Sequence, residues 1–427
     1  MSQDTEYIEI KRHELEEKVE ERVREKVEEK ESADNKQKID TALSRRELLK
    51  LSGLGIGALS LSTLTSGWSV VQPESDGVSE VDVFSVNGHR LWVQDSAPSG
   101  PEVSDLWYST SEAGSQGWVY IGNNSVVGDV AVGPSGDYVY SGDWYNGVHR
   151  IDVSNPSIDE WVYEGHSNSV YGVAAGPNGD YVYSGSRDEE VHRIDVSNPS
   201  QPDWVYTEHS DRVASVAAGL NGDFVYSGSW DYDLHKIDVS DPPQTDWVYD
   251  GHSDSVTDVA VGPDNEYVYT SSWDEEVHRI DVSNPSSADW IYTDNTGQVY
   301  CVATGPNGNF VYSGSYGEVH QINVDGSQGW VYTGYSKNVY DVAAGPNGDY
   351  IYVVARQDEE VHRIDVSNPS QPDWVYTEHS DRVASVAAGQ NGNYVYSGDY
   401  DYKVHQISNI REGSIVYWDG SNWEGYQ

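Results

Sequence analysis

Residues 251–292 read GHSDSVTDVAVGPDNEYVYTSSWDEEVHRIDVSNPSSADWIY. Four short apolar-rich runs stand in this stretch: VTDVA, YVYTS, VHRIDV and WIY. GPDNE separates the first two and SNPS follows the third, and both are rich in turn formers. The same layout recurs down the chain. Trp118, Trp161, Trp204, Trp247, Trp290, Trp330 and Trp374 mark it at spacings of 43, 43, 43, 43, 40 and 44 residues. A period of 40–45 residues with four short strands is the signature of β-propeller blades. No unit carries a helical apolar period, which excludes a helical solenoid. The chain is therefore expected to be all-β, with four-stranded blades.

Seven units are plain and a degenerate eighth precedes them. VDVFSVNGHRLWV (81–93) matches VAAGPNGDYIYV (342–353) with a one-residue gap, and LWYST (106–110) stands where VHRID stands elsewhere. Eight blades are the favoured count and seven the alternative. The propeller is expected over 68–427, with the degenerate blade at 68–117 and plain repeats at 118–417. Ile415–Tyr417 reads as a last outer strand, and the C-terminal YWDGSNWEGYQ as a latch for the closing blade.

The net charge is −46, from 25 basic and 71 acidic residues. Residues 1–50 hold 15 acids and 12 bases, and residues 51–67 hold neither. The remainder carries 56 acids against 13 bases, of which three are lysines (Lys236, Lys337, Lys403). Such a surface excludes binding of DNA or RNA by phosphate neutralisation. It also repels itself in dilute salt, a repulsion screened within about 3 Å at molar salt. Its acid-rich, lysine-poor composition resembles that of halophilic archaeal proteins. The 15 Trp and 32 Tyr place the chain among folded proteins. A single Cys excludes an internal disulfide and multi-cysteine metal sites. Cys301, in the alternating run VYCVAT, reads as a buried, inert thiol.

Residues 1–43 contain a charged helix over 7–31, with i,i+4 pairs such as Glu14–Lys18. Its apolar stripe is too narrow to bury against a core. Arg45 and Arg46 then precede an uncharged run, and 44–67 resembles a twin-arginine export signal. The run of about 17 residues is marginal for a membrane span. Cleavage before Trp68 is the expected outcome, with transient membrane contact through the signal; a retained anchor is the alternative. An exported chain, extracellular or at the cell surface, follows.

The units resemble WD repeats, which Gly251–Asp281 follow nearly end to end, although Ile-Asp (Ile280-Asp281) replaces the naming dipeptide. PQQ-like, quinoprotein-type repeats offer a second resemblance with the same fold. The WD resemblance implies a structural hydrogen-bond network of His166 with Asp188, His209 with Asp231 and His252 with Asp274, reduced because the family's Trp is missing. A Ser/His/Asp trio has the makings of a hydrolase. Catalysis needs one unusual constellation, whereas this one is repeated, so no catalytic residue is expected. A second series, His149, His192, His235, His278, His320, His362 and His405, falls once per blade. Blades stand about 10 Å apart, too far for one zinc ion to bridge them. The DEE clusters lack the spacing of a calcium loop. No metal is expected.

One position escapes the repeat. In the turn between the second and third strands it is Trp144, Arg187, Trp230, Trp273, Tyr316, Gln357 and Tyr400, mostly aromatic. Exposed aromatics and Arg are typical binding anchors, and aromatic faces receive cations. Asp188–Gly219 and Asp358–Gly389 are identical over 32 residues, an internal copy that duplicates surfaces but does not build one asymmetric active site. The expected function is a non-catalytic scaffold without cofactor, a monomer that binds a protein, peptide or glycan at the cell surface in high salt. The competing expectation is a PQQ-dependent dehydrogenase.

Overall fold

The computed structural model describes residues 114–409, apart from 158, 241–242 and 356–358. It also describes six strands outside that range: Trp68–Val70, Asp82–Val86, His89–Gln94, Leu106–Ser109, Ile415–Trp418 and Trp423–Tyr426. The helix and export signal expected over 1–67, with Arg45 and Arg46, lie outside the described residues, as does Gln357.

Seven four-stranded antiparallel sheets, arranged as a propeller, make up residues 113–409. The unit quoted first shows why. Val256–Val261 pairs with Tyr267–Ser272, that strand with Val277–Asp281, and the third with Ala288–Tyr292. The joining turn at Gly262–Glu266 needs one left-handed residue, supplied here by Asn265 at φ 61° and in the neighbouring blade by Gly222 at φ 77°. Second and third strands are buried almost throughout, as in Tyr183 and Val191, because a neighbouring sheet covers each face.

The core lies between blades rather than within them. Tyr183, Val191, Trp204 and Tyr206 of one blade pack on Val213, Val216, Val225 and Ile237 of the next. Close approach is made by glycine: a Cβ on Gly185 would stand 2.5 Å from Val213 Cγ1. The few cations tie the same seams. Arg193 lies over the Tyr181 ring at 4.4 Å, pairs with Asp203, and donates to the Val239 carbonyl one blade on. Arg363 repeats this with Tyr350, Asp373 and Asn409. The repeat tryptophans join in, with Trp290 Nε1 donating to Val324 O at 3.0 Å.

Seven blades, not the favoured eight, close the ring. The strand Gln116–Tyr120 pairs with Val404–Ser408 as the outer strand of the last blade, through Val404↔Tyr120 and Ile407↔Gln116. An outer strand can complete only one blade, so none remains for the degenerate set at 68–117. That set also fails as a blade by direction: Leu106–Ser109 runs parallel to His89–Gln94, whereas a blade meander alternates. It belongs to a second compact unit, a six-stranded sheet. There Ile415–Trp418 pairs with Leu106–Ser109 and Trp423–Tyr426. Ile415–Tyr417 is thus not an outer blade strand but part of the six-stranded sheet, in which Trp423–Tyr426 of the C-terminal segment also pairs.

The seam geometry sets an expected cost. Gly185→Ala should destabilise by about 1–3 kcal/mol through overpacking against Val213, read as a lower midpoint in guanidinium unfolding.

Candidate functional site

In five blades the turn between second and third strands and the loop entering the innermost strand lie on one face, pinned to each other. The turn residue donates its backbone N–H to the loop: Arg187 to Ser169 O, Trp230 to Arg212 O, Trp273 to Ser255 O and Tyr400 to Arg382 O, at 2.9–3.0 Å. Trp144 does the same to Val126 O at 2.9 Å. Tyr316 instead forms an isolated bridge to Asn338 of the next blade. The described candidates therefore share one face.

Sequence reasoning missed their partners. The second residue of the innermost strand lies in a bulge, as at Val170/Gly172 and Val339/Asp341, which places Tyr171 and Tyr340 there. Tyr300 stands just before the innermost strand of its blade, its N–H donating to Gly314 O. Two arcs result. Tyr400, Trp144 and Tyr171 run edge-to-face across three blades, with centroids 5.2 and 6.0 Å apart. Trp230, Trp273, Tyr300 and Tyr340 cross the other four at 4.6, 6.4 and 5.8 Å. The arc rings thus half-bury one another, Trp144 keeping 36% exposure, while Tyr316, outside both arcs, is 56% exposed. Arg187, exposed, stands where the arcs break. The signal was present in the sequence, as Val-Tyr at 170–171, 299–300 and 339–340, but which of those rings meets a turn is decided only by the folded edge of each blade.

Beside the arcs the backbone is strained. Glu189, Tyr232, Glu275 and Tyr402 take φ of 73°, 83°, 76° and 68° at the turn position that Gly317 occupies at 77°. A left-handed conformation is unfavourable for such side chains, so these turns hold an acid or a ring where glycine would relax them. Backbone strain of this kind clusters at functional sites.

Beneath the face lies the histidine network, more complete than expected. His166 Nδ1 is 3.0 Å from Asp188 Oδ2, and Ser184 Oγ lies 2.8 Å from its Nε2. His209 and His252 repeat this with Asp231 and Ser227, and with Asp274 and Thr270. A fourth copy joins His379 to Asp399 and Ser397. The two histidine series meet within the blade: His192 stacks on His166 at 3.7 Å, held by Tyr163 Oη and Glu190. The second imidazole and the Tyr hydroxyl complete the network that lacks its Trp.

Geometry brings four groups of metal-ligand type together, among them His166/Glu190/His192 and His379/Asp399/His405. In the first, all four ring nitrogens are hydrogen-bonded. Stacked rings direct their lone pairs side by side, so they do not converge on one ion at zinc-ligand distance. The hydroxyl–His–Asp arrangement recurs in four blades, with Ser184, Ser227 and Ser397 in three and Thr270 in the fourth, and the hydroxyls and imidazoles are buried.

Around the propeller axis, Asp129, Asp258 and Asp341 cap the free edges of innermost strands. Asp129 accepts from Val130 N and from Val173 N one blade on, both at 2.8 Å. Asp341 does so from Val342 N and Val386 N. Burial raises Asp129 to about 7 and Asp258 to about 6. Burial and a neighbouring imidazole hold His192, His235 and His278 down to about 3. For Asp188, Asp231 and Asp274 burial acts upward, but the hydrogen bond and charge of the paired imidazole outweigh it, leaving about 2.

Comparison with known proteins agrees with this architecture. The WD domain, G-beta repeat, matches residues 159–194, 200–236, 244–281, 289–321 and 370–408. The chain carries WD40 repeats. The LVIVD repeat matches residues 126–158 and 338–377. No curated protein matches the chain at a significant level. The WD40 matches span each of the three His–Asp pairs named from the sequence, and they include the turns that carry Trp230, Trp273, Tyr316 and Tyr400.

The pH dependence of stability follows with two opposed signs. The three lowered imidazoles contribute fully above their ordinary 6.5, and that contribution is lost as pH falls toward 3. The raised carboxyls of Asp129 and Asp258 contribute fully below 3.8, and theirs is lost as pH rises through 6 to 7. Between about pH 4 and 6.5 the two oppose each other, so melting curves should show a net loss of stability on acidification that the carboxyls partly offset. Asp129→Asn should steepen that loss; an unchanged slope would remove Asp129 from this role.

Proposed function

We propose that this chain is an exported, non-catalytic propeller that binds a protein or peptide partner in high salt, on the face bearing the aromatic arcs. One observation carries the reading: rings from all seven blades are gathered on a single face with open surface between them. Exposed Trp and Tyr are the residues that dominate binding energy at interfaces. WD40 repeats in a propeller generally make protein-interaction scaffolds, which favours a protein partner over a glycan. The repetition speaks against catalysis: three blades hold a Ser–His–Asp set and a fourth a Thr–His–Asp set, a recurrence that favours a structural role over one unusual active site.

The address rests on Arg45-Arg46 and the uncharged run behind them. The working condition rests on 56 acids against 13 bases after residue 67, a repulsion that salt relieves.

Replacing Trp144, Trp230 and Trp273 together by Ala should abolish capture of a surface partner from envelope material while the far-ultraviolet spectrum stays that of the native chain. Retained capture would move the site off this face, and retention of glycans alone would exclude a protein partner. Separately, the melting temperature should climb as KCl rises from about 0.1 M to about 3 M, where the Debye length shrinks below 3 Å. A flat response would remove the salt adaptation.

A further inference from the structure

We infer that the occupant of the aromatic face is an arginine-bearing basic segment of the partner, whose guanidinium groups lie flat on its open rings, Trp144 of one arc and Tyr316 beside the arcs. This rests on the reading of that face as a protein-binding surface and names the chemistry it selects.

Three observations on the face point the same way. First, it already holds guanidinium groups. Arg212 lies over the Trp230 ring and Arg382 over the Tyr400 ring, each at 4.3 Å from the centroid. These are the chain's own cations seated on residues of the two arcs. Trp144 and Tyr316 keep exposed surface, and no cation of the described residues is seated on either.

Second, the rim is acidic. The loops entering the innermost strands carry exposed Glu164, Glu208, Asp250, Asp294 and Glu378. Arg212 and Arg382 are themselves faced by Asp211 and Asp381, at 3.9 and 3.6 Å. Lys403 is paired with Asp401. The combination of π-faces with carboxylates is complementary to a cation and repels an anion.

Third, four blades fill the strained turn position with acids or rings: Glu189, Tyr232, Glu275 and Tyr402. Both kinds attract cations, and neither relieves the backbone as glycine does in the blade of Gly317. Arginine is favoured over lysine because its planar, weakly hydrated guanidinium stacks on rings, whereas an ammonium acts as a hydrated point charge. That difference matters most in concentrated salt. There the attraction of the acidic rim is screened within a few ångströms, while ring contact persists.

The full chain is titrated with three synthetic peptides of equal length, repeats of Gly-Ser-Arg, Gly-Ser-Lys and Gly-Ser-Glu, at about 0.15 M and about 2 M KCl. Binding is read by tryptophan fluorescence and calorimetry. The arginine peptide should bind tightest and the glutamate peptide not at all, and arginine binding should survive the high-salt arm. Trp144→Ala and Tyr316→Ala should each weaken it about tenfold. Melting curves check the fold, and if Trp144→Ala unfolds, the exposed Tyr316→Ala decides. The inference is overturned if the glutamate peptide binds as well as the arginine one. It is equally overturned if arginine binding vanishes in high salt, or is indifferent to loss of the rings. If no peptide binds while the triple tryptophan variant still loses its natural partner, arginine recognition falls and the protein-binding face stands. If that capture is also unaffected, both readings fall.

Discussion

Everything in the propeller depends on the pairing of Val404–Ser408 with Gln116–Tyr120. Blades of this kind bury their apolar faces only against each other, so an open row would leave two faces wet. Joining the first strand of the repeat region to the last blade removes both ends at once. Tyr120 and Val404 pack with Val127, Val139 and Ile151 of the first blade, making the closing seam as buried as the others. The same pairing fixes the blade number, because it uses the strand that an eighth blade would have needed.

Closure also creates the setting for the buried acids. The innermost strands present free edges toward the axis, and unpaired backbone N–H groups there are costly. Asp129, Asp258 and Asp341 accept those donors from their own blade and the next. Ser215 Oγ, bonded to Asp258, accepts weakly from Val259 N. Burying three carboxyls in such a place raises their proton affinity, so these groups and the lowered histidines oppose one another in pH dependence. The few basic side chains are used sparingly by contrast: Arg193, Lys236 and Arg363 stack on rings and tie seams.

Much of this was legible as pattern. The repeated tryptophans located the outer strands, and the spacing of His166, Ser184 and Asp188 anticipated a bonded set in the blade. What the pattern left out was pairing in space. His166 and His192 are 26 residues apart and fall in different series, yet Ser184 stands opposite His192 in the sheet and brings the two rings into a stack. The ring of variable turn residues was visible as a break in the repeat. Its partners Tyr171 and Tyr340 were hidden, because each sits at a bulge in an innermost strand and no local pattern marks a bulge. Tyr300 was hidden too, since it stands just outside its strand.

The sequence by itself determined the all-β class, the four-strand unit, the uneven charge and the one turn position free to vary. These are local properties, set by side-chain periodicity, turn chemistry and composition. Tertiary structure alone decided that there are seven blades and that residues 68–112 stand outside them. It alone decided that separate rings form two arcs on one face. Those outcomes depend on which strands pair across long stretches of chain, and on which side chains a closed ring brings together. Near-identical repeats do not encode such choices, because each repeat is locally equivalent to the next.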